Sequence, residues 1–242
     1  MFMGKVYCII KRNGNFYFPV KSKTGPYQNE DGSPKVGYLA GMPNFFGGTI
    51  NRRNKFQALR AEVLEESQDK ISIKLYDSGN ENEQNCKIES ACQESLFHTS
   101  FQSRRGRTDY DFYLFDGDRY AEMVTGGMTI ADFGAANRLA LSTDAAAPNE
   151  EPERREMACI LKIPENRLPD NIDRFLNLCI EMGGDFLLDK RSITSHRDWN
   201  DKGTRDAFAE FCRRYGHRLD ITVQRREVNI YCRHTRRRII FK

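Results

Sequence analysis

Gly-Gly-Thr-Ile-Asn-Arg-Arg-Asn-Lys-Phe-Gln-Ala-Leu-Arg-Ala-Glu-Val-Leu-Glu-Glu-Ser-Gln, residues 47 to 68, decides how the rest of the chain is read. A glycine pair leads into a segment in which Phe56, Leu59 and Val63 recur at helical spacing, so a helix is expected over residues 55 to 67. Positions i, i+3 and i+4 share one face of a helix, which makes Glu62, Glu65 and Glu66 project together. Like charges on one face repel, and an ordinary surface helix intersperses lysines among them. A hard divalent cation relieves the repulsion, because Mg²⁺ takes oxygen ligands and commonly shares them with substrate phosphates. The spacing therefore reads as a magnesium–pyrophosphate site built on a helix. Glutamate pairs are also common on solvated helices, so the triplet draws its weight from its distance to Gly47 and from the residues before it.

The stretch resembles the signature of the Nudix hydrolases: Gly, five residues, Glu, seven residues, Arg-Glu, an aliphatic, any residue, Glu-Glu, any residue, Gly. Gly47 matches the opening glycine, Glu62 the glutamate after the arginine, Val63 the aliphatic, and Glu65 with Glu66 the terminal pair. The approach Pro43-Asn44-Phe45-Phe46-Gly47-Gly48 is similar to the family's strand-to-loop entry. Three positions depart: Arg53 stands where the first glutamate belongs, Ala61 where the arginine belongs and Gln68 where the last glycine belongs. The resemblance implies an α+β fold, an α/β/α sandwich, covering residues 1–184 with a small basic α+β extension over 185–242. It implies cleavage of a nucleoside diphosphate linked to a group X, with Mg²⁺ or Mn²⁺ held by Glu62, Glu65 and Glu66, which would also carry the catalysis. The family's general base varies and often lies outside the signature. Glu151, Glu153 and Glu156, just before a late strand, are the candidates, with a solvated acidic loop as the plainer reading for at least two of them. Gly47 and Gly48 would let the backbone approach the phosphates. A homodimer is a further expectation carried by the resemblance.

Across the 242 residues, 39% hydrophobic and 30% charged side chains describe a soluble globular chain with enough length for a substantial core. No apolar run reaches the roughly 18 to 20 residues of a membrane span. Met1-Phe2-Met3-Gly4-Lys5 runs straight into a strand-like segment without the pattern of a signal peptide, so a cytoplasmic location is expected, with signal-less secretion left open. Cysteines 8, 86, 92, 159, 179, 212 and 232 form neither Cys-x-x-Cys nor a zinc spacing, and buried free thiols are expected. Residues 186 to 242 hold 15 Lys and Arg against 7 Asp and Glu, a net +8 within a chain of net +4.

Along the chain, Val6 to Ile10, the Asn13-Gly14 turn and Phe16 to Val20 spell a β-hairpin. A turn-rich loop follows over residues 21 to 40, and long loops are disproportionately functional. Strands are expected at Ile71 to Tyr76, Ser95 to Phe101, Asp111 to Phe115 and Met157 to Ile163. Asp170-Asn171 should cap a helix over Ile172 to Met182 that closes at Gly183-Gly184. Beyond this point the resemblance stops. Asp201 to Tyr215 reads as an amphipathic helix with Phe208 and Phe211 inward, and short arginine-rich strands are expected from Leu219 onward.

Within Arg104-Arg105-Gly106-Arg107, Arg105 and Arg107 are candidate phosphate contacts, since guanidinium forks match phosphate oxygens, although a solvated turn fits as well. No histidine pair, Gly-x-Ser-x-Gly elbow or Walker loop offers competing chemistry. Three readings follow: a metal-dependent pyrophosphohydrolase, a non-catalytic module that binds a nucleotide or protein partner, and a nucleic-acid binder using the basic end. The basic end also tilts the first reading toward capped RNA over ADP-ribose, with Trp199 and Tyr231 as the nearby aromatics for stacking.

Overall fold

Asn13 and Gly14 both take positive φ, 49° and 66°, the pair of left-handed residues that a tight hairpin turn matching strand twist requires. They join β1 (Met3–Arg12) to β2 (Asn15–Lys21). This hairpin is part of a computed structural model that describes residues 3–23, 39–50, 54–68, 70–71, 73, 92, 94–103, 106–117, 137–141 and 156–217. The strands zip only near the turn, where Ile10 faces Tyr17 and Arg12 faces Asn15. Further along, the same edge of β1 pairs instead with β3 (Phe46–Thr49), in register Cys8 to Phe46, Tyr7 to Gly47, Val6 to Gly48 and Lys5 to Thr49. The glycine pair is thus wedged into the fork of the hairpin.

The other edge of β1 runs parallel to β5 (Gly106–Asp116), which pairs antiparallel with β4 (Glu94–Ser103). On the far side β2 pairs with β7 (Met157–Pro164), and β7 with β6 (Arg138–Ala140), a short strand that the sequence pattern did not announce. The result is a mixed seven-stranded sheet in the order β4-β5-β1-β2-β7-β6, with β3 beside β1.

Period-two alternation along β1 feeds two cores. Val6, Cys8 and Ile10 face α1 (Lys55–Glu66), whose Leu59 and Val63 are fully buried, while Tyr7 and Ile9 face the opposite layer. That layer holds α2 (Ile172–Gly183), α3 (Lys190–Ser195), α4 (Arg197–Asp201) and α5 (Thr204–Tyr215). Helices on both faces of a central sheet make the expected α/β/α arrangement. Phe208 sits 4.3 Å from Phe45 and 4.9 Å from Phe175, and Phe211 meets Phe16 edge-on at 4.9 Å, so the helices after residue 184 pack into the same core as the sheet.

Local chemistry explains the helix ends. The Asn54 side chain accepts from the amides of Phe56 and Gln57, and Gln57 reaches back to Asn54, a capping box that starts α1. Asn171 accepts from the amides of Asp173 and Arg174, making it the cap of α2.

The structure corrects several expectations. The helix read over 201 to 215 is two helices, because Gly203 adopts φ +79° between α4 and α5, and any Cβ there would press to 2.7 Å of Thr99. Ile71 and Ile73 are buried but Ile71 belongs to no strand, and residue 72 and those from 74 to 76 lie outside the described residues. The strands read at 95 to 101 and 111 to 115 extend to Glu94–Ser103 and Gly106–Asp116. The described cysteines 8, 92, 159, 179 and 212 are free and buried, with burial pushing the Cys159 thiol up to about 12. No helix among the described residues is long and apolar enough to cross a membrane.

Candidate active site

The fork in the hairpin explains why two glycines precede the glutamate helix. At Gly47, φ is +140° and a Cβ would lie 2.0 Å from the Val6 carbonyl oxygen, so only glycine lets β3 close against β1. At Gly48 a Cβ would stand 2.5 Å from the Glu62 carboxylate, so the missing side chain is the space this carboxylate occupies. The Gly47 amide donates to Glu66 Oε2 at 2.7 Å, tying the last turn of α1 to the strand. Whatever they would offer a phosphate, both glycines already serve the placement of the glutamates.

The glutamates are not a solvated face. Glu66 is only 5% exposed, and Glu62 is half-buried above Gly48. Burial, followed by the charges of Glu65 and Glu156, raises the Glu62 carboxyl from its ordinary 4.5 to about 7, against the opposing pull of Lys21 and Lys5. Burial likewise holds Glu66 well above the usual carboxylate range, with Lys21 and the Gly47 amide acting the other way.

Glu156 joins this group from the residue before β7. Its carbonyl accepts from the Ser22 amide at 2.7 Å, and its carboxylate takes Lys21 Nζ at 2.9 Å. Sequence reading had placed Glu156 among the candidate bases, and the fold brings it into electrostatic reach of Glu62 and Glu66. Lys21 is the residue it missed. It is one strand lysine among many, and only the pairing of β2 with β7 puts it beside Glu156.

The remaining candidates fall elsewhere. Glu151, Glu153 and Arg105 lie outside the described residues, as does the chain from residue 218 to 242 with its arginine pairs and Tyr231. Arg107 donates from Nε to Asp109 and from Nη2 to Ser100, both at 2.9 Å, in a cross-strand network of β4 and β5. Arg213 and Arg214 on α5 are both engaged by Glu210. Trp199 corrects the expectation of a stacking aromatic: it is fully buried, 5.6 Å from Phe208. A separate cleft of about 590 Å³ opens among the helices after β7, floored by Ile172 and Leu176 and rimmed by Asp173, Lys190, Arg191 and Arg205. It contains none of the glutamates.

Among the described residues, no three carboxylate, histidine or cysteine side chains converge on a single point. The donor chemistry nevertheless fits a hard divalent ion. Glu62, Glu65 and Glu66 offer oxygens only, and the repulsion and burial that raise Glu62 are what a bound cation would relieve.

Fold and site together describe a mixed α+β protein with a carboxylate cluster set against a glycine-bearing strand. No protein-family model matches the sequence, and no curated protein matches it. Among solved structures it is similar to the E. coli ORF135 protein, at 16% identity over 52% of this chain and 66% of that one, with a TM-score of 0.29. It is also similar to the MutT protein from Methanosarcina mazei Go1, at 16% identity over 54% of this chain and 67% of that one, TM-score 0.27. A third is the MutT Nudix hydrolase from Burkholderia pseudomallei, at 11% identity over 75% of this chain and 98% of that one, TM-score 0.34. These neighbours are Nudix or MutT proteins by name apart from ORF135, of which the match spans just under two thirds.

Proposed function

We propose that this protein is a metal-dependent pyrophosphohydrolase of the Nudix type, cleaving a nucleoside diphosphate linked to a further group. One observation supports the reading: the Glu62 carboxylate of α1 lies over Gly48 and feels the charges of Glu65 and of Glu156, which arrives from a distant strand. A fully solvated helix face would not bury Glu66 and half-bury Glu62. Glu62, Glu65 and Glu66 would hold Mg²⁺ or Mn²⁺, which supplies phosphorus polarisation, charge neutralisation and a more acidic bound water. Glu156, oriented by Lys21, is the preferred general base, ahead of Glu153.

The test is cleavage of ADP-ribose, NADH, dinucleoside polyphosphates, nucleoside triphosphates and capped RNA at the diphosphate bond, followed by chromatographic separation of the nucleotide products, with Mg²⁺ or Mn²⁺, by the wild type and Glu65→Gln. Turnover by the wild type that falls at least about a hundredfold in the variant is the expected result. Equal rates in the two proteins, or no turnover of any compound, would overturn it. A second reading, a binding module without turnover, is favoured by Ala61, which stands beside Glu62 where the Nudix signature has an arginine.

A further inference from the structure

The cleft beyond β7 takes no part in the carboxylate cluster, and most of its lining comes from helices after residue 184. Buried residues fix each of its walls. Leu176 of α2 is buried, and Ile172, one turn before it, packs against the same core, so the floor is aliphatic and immobile. Ile193 anchors α3 in that core and leaves Arg191 and Thr194 exposed. Asp189 caps α3 by accepting from the Ser192 amide at 3.0 Å and from the Ser192 hydroxyl at 2.7 Å. Thr204, Ala207 and Phe208 are buried along α5 and leave Arg205 at the cleft. Its volume of about 590 Å³ is that of an ordinary ligand site.

The polar groups here are under-used. Three cations, Lys190, Arg191 and Arg205, line the cleft against one carboxylate, Asp173. Lys190 reaches Asp173 only at 3.3 Å, and Arg205 reaches its neighbour Asp206 at 3.6 Å. Both contacts are longer than a charge-assisted hydrogen bond and lie in solvent, so an incoming anion displaces them easily. The Arg191 guanidinium has no ion pair among the described residues. Acceptors accompany the cations. Asn200 donates from Nδ2 to the carbonyls of Thr194 at 3.2 Å and His196 at 3.0 Å, which leaves its Oδ1 open to a donor. Thr194 gives its hydroxyl hydrogen to the Lys190 or Arg191 carbonyl, and its oxygen can still accept. No aromatic ring lines the cleft, so a nucleobase has nothing to stack on.

A ligand that uses every one of these groups carries carboxylates for the cations, N–H donors for Asn200 and Thr194, and an aliphatic body for the floor. Free phosphate lacks the last two, and a nucleic-acid strand lacks the aliphatic part. We propose that this cleft docks an acidic peptide segment of a partner protein. An aliphatic side chain of the segment rests on Ile172 and Leu176, and the carboxylates flanking it meet Lys190, Arg191 and Arg205. Docking here tethers the protein to its partner and leaves the carboxylate cluster open. The assignment does not depend on the reaction proposed for α1.

The probe is a set of fluorescein-labelled octapeptides in a Gly-Ser background, each with a central leucine and no, one or two flanking glutamates. Binding to the full chain is read by fluorescence anisotropy. Affinity should rise with each glutamate, fall with added salt and fall again when serine replaces the leucine. Arg191→Gln combined with Arg205→Gln should weaken the two-glutamate peptide about tenfold or more. Both arginines are exposed, so the fold should survive, which circular dichroism verifies. Absence of binding by every peptide, or equal affinity in the wild type and the double variant, overturns the proposal. So does binding that ignores the leucine. Displacement of the labelled peptide by inorganic phosphate or single-stranded RNA at lower concentration than by unlabelled peptide overturns it in favour of a phosphate ligand. Self-association of the wild type that the double variant loses overturns it in favour of a second copy. Glu65→Gln should bind the peptides as the wild type does, so the cleft and the glutamate cluster stand or fall separately.

Discussion

Replacing Glu62 by glutamine tests whether the glutamate cluster is held against its own repulsion. In the unfolded chain this carboxyl titrates near its ordinary 4.5, and in the folded chain at about 7. Between these values the folded protein keeps a proton that the unfolded chain has released, so stability falls as pH rises through that window. Above it the ionised carboxylate destabilises the metal-free fold by about 3 kcal/mol, taking about 1.4 kcal/mol for each pH unit between 4.5 and about 7. Glutamine imitates the protonated acid and escapes this penalty. In urea unfolding with a chelator present, Glu62→Gln should exceed the wild type by about 3 kcal/mol at about pH 8, and by under about 1 kcal/mol at about pH 5. Mg²⁺ at the higher pH should restore stability to the wild type and do little for the variant. An equal difference at both pH values, or a variant less stable than the wild type at about pH 8, would refute the reasoning.

The two glycines should part company on substitution. Gly47→Ala forces a Cβ to 2.0 Å of the Val6 carbonyl oxygen at φ +140°, and should cost more than about 3 kcal/mol in denaturant melts. Gly48→Ala meets only the mobile end of Glu62, so the fold should survive within about 1 kcal/mol while Mn²⁺ binding, followed by electron paramagnetic resonance, weakens. Gln68 holds φ +53° just past the end of α1, the left-handed conformation a glycine adopts freely, and Gln68→Gly should raise stability by about 1 kcal/mol in chemical unfolding. Phe208→Ala empties the meeting point of Phe45, Phe175 and Trp199, with an expected loss of about 3 to 5 kcal/mol in the same assay.

Local rules made much of this protein legible. The Asn13-Gly14 hairpin, the capped glutamate helix and the Asn171-capped α2 each depend on residues adjacent in the chain, where turn chemistry and side-chain periodicity act directly. The spacing of Glu62, Glu65 and Glu66 is likewise a property of one helix. Gln68 shows how a departure from the expected pattern can be borne locally, since the chain keeps the left-handed turn without the glycine.

What the chain could not announce depends on partners far apart in sequence. Trp199 looks like a surface aromatic in a basic, polar segment, and it becomes core only because α4 and α5 fold back onto the sheet. β6 is three residues long and exists through its pairing with β7. The largest gap concerns charge. Sequence alone fixed which carboxylates stand together on one turn of helix, because helical geometry is local. Only the tertiary structure decided that Glu66 would be buried and Glu62 half-buried, that Glu156 would come within their electrostatic reach, and that Lys21 would pair with Glu156. Burial and electrostatic coupling are set by strands that pair across more than a hundred residues, and no short-range pattern encodes them.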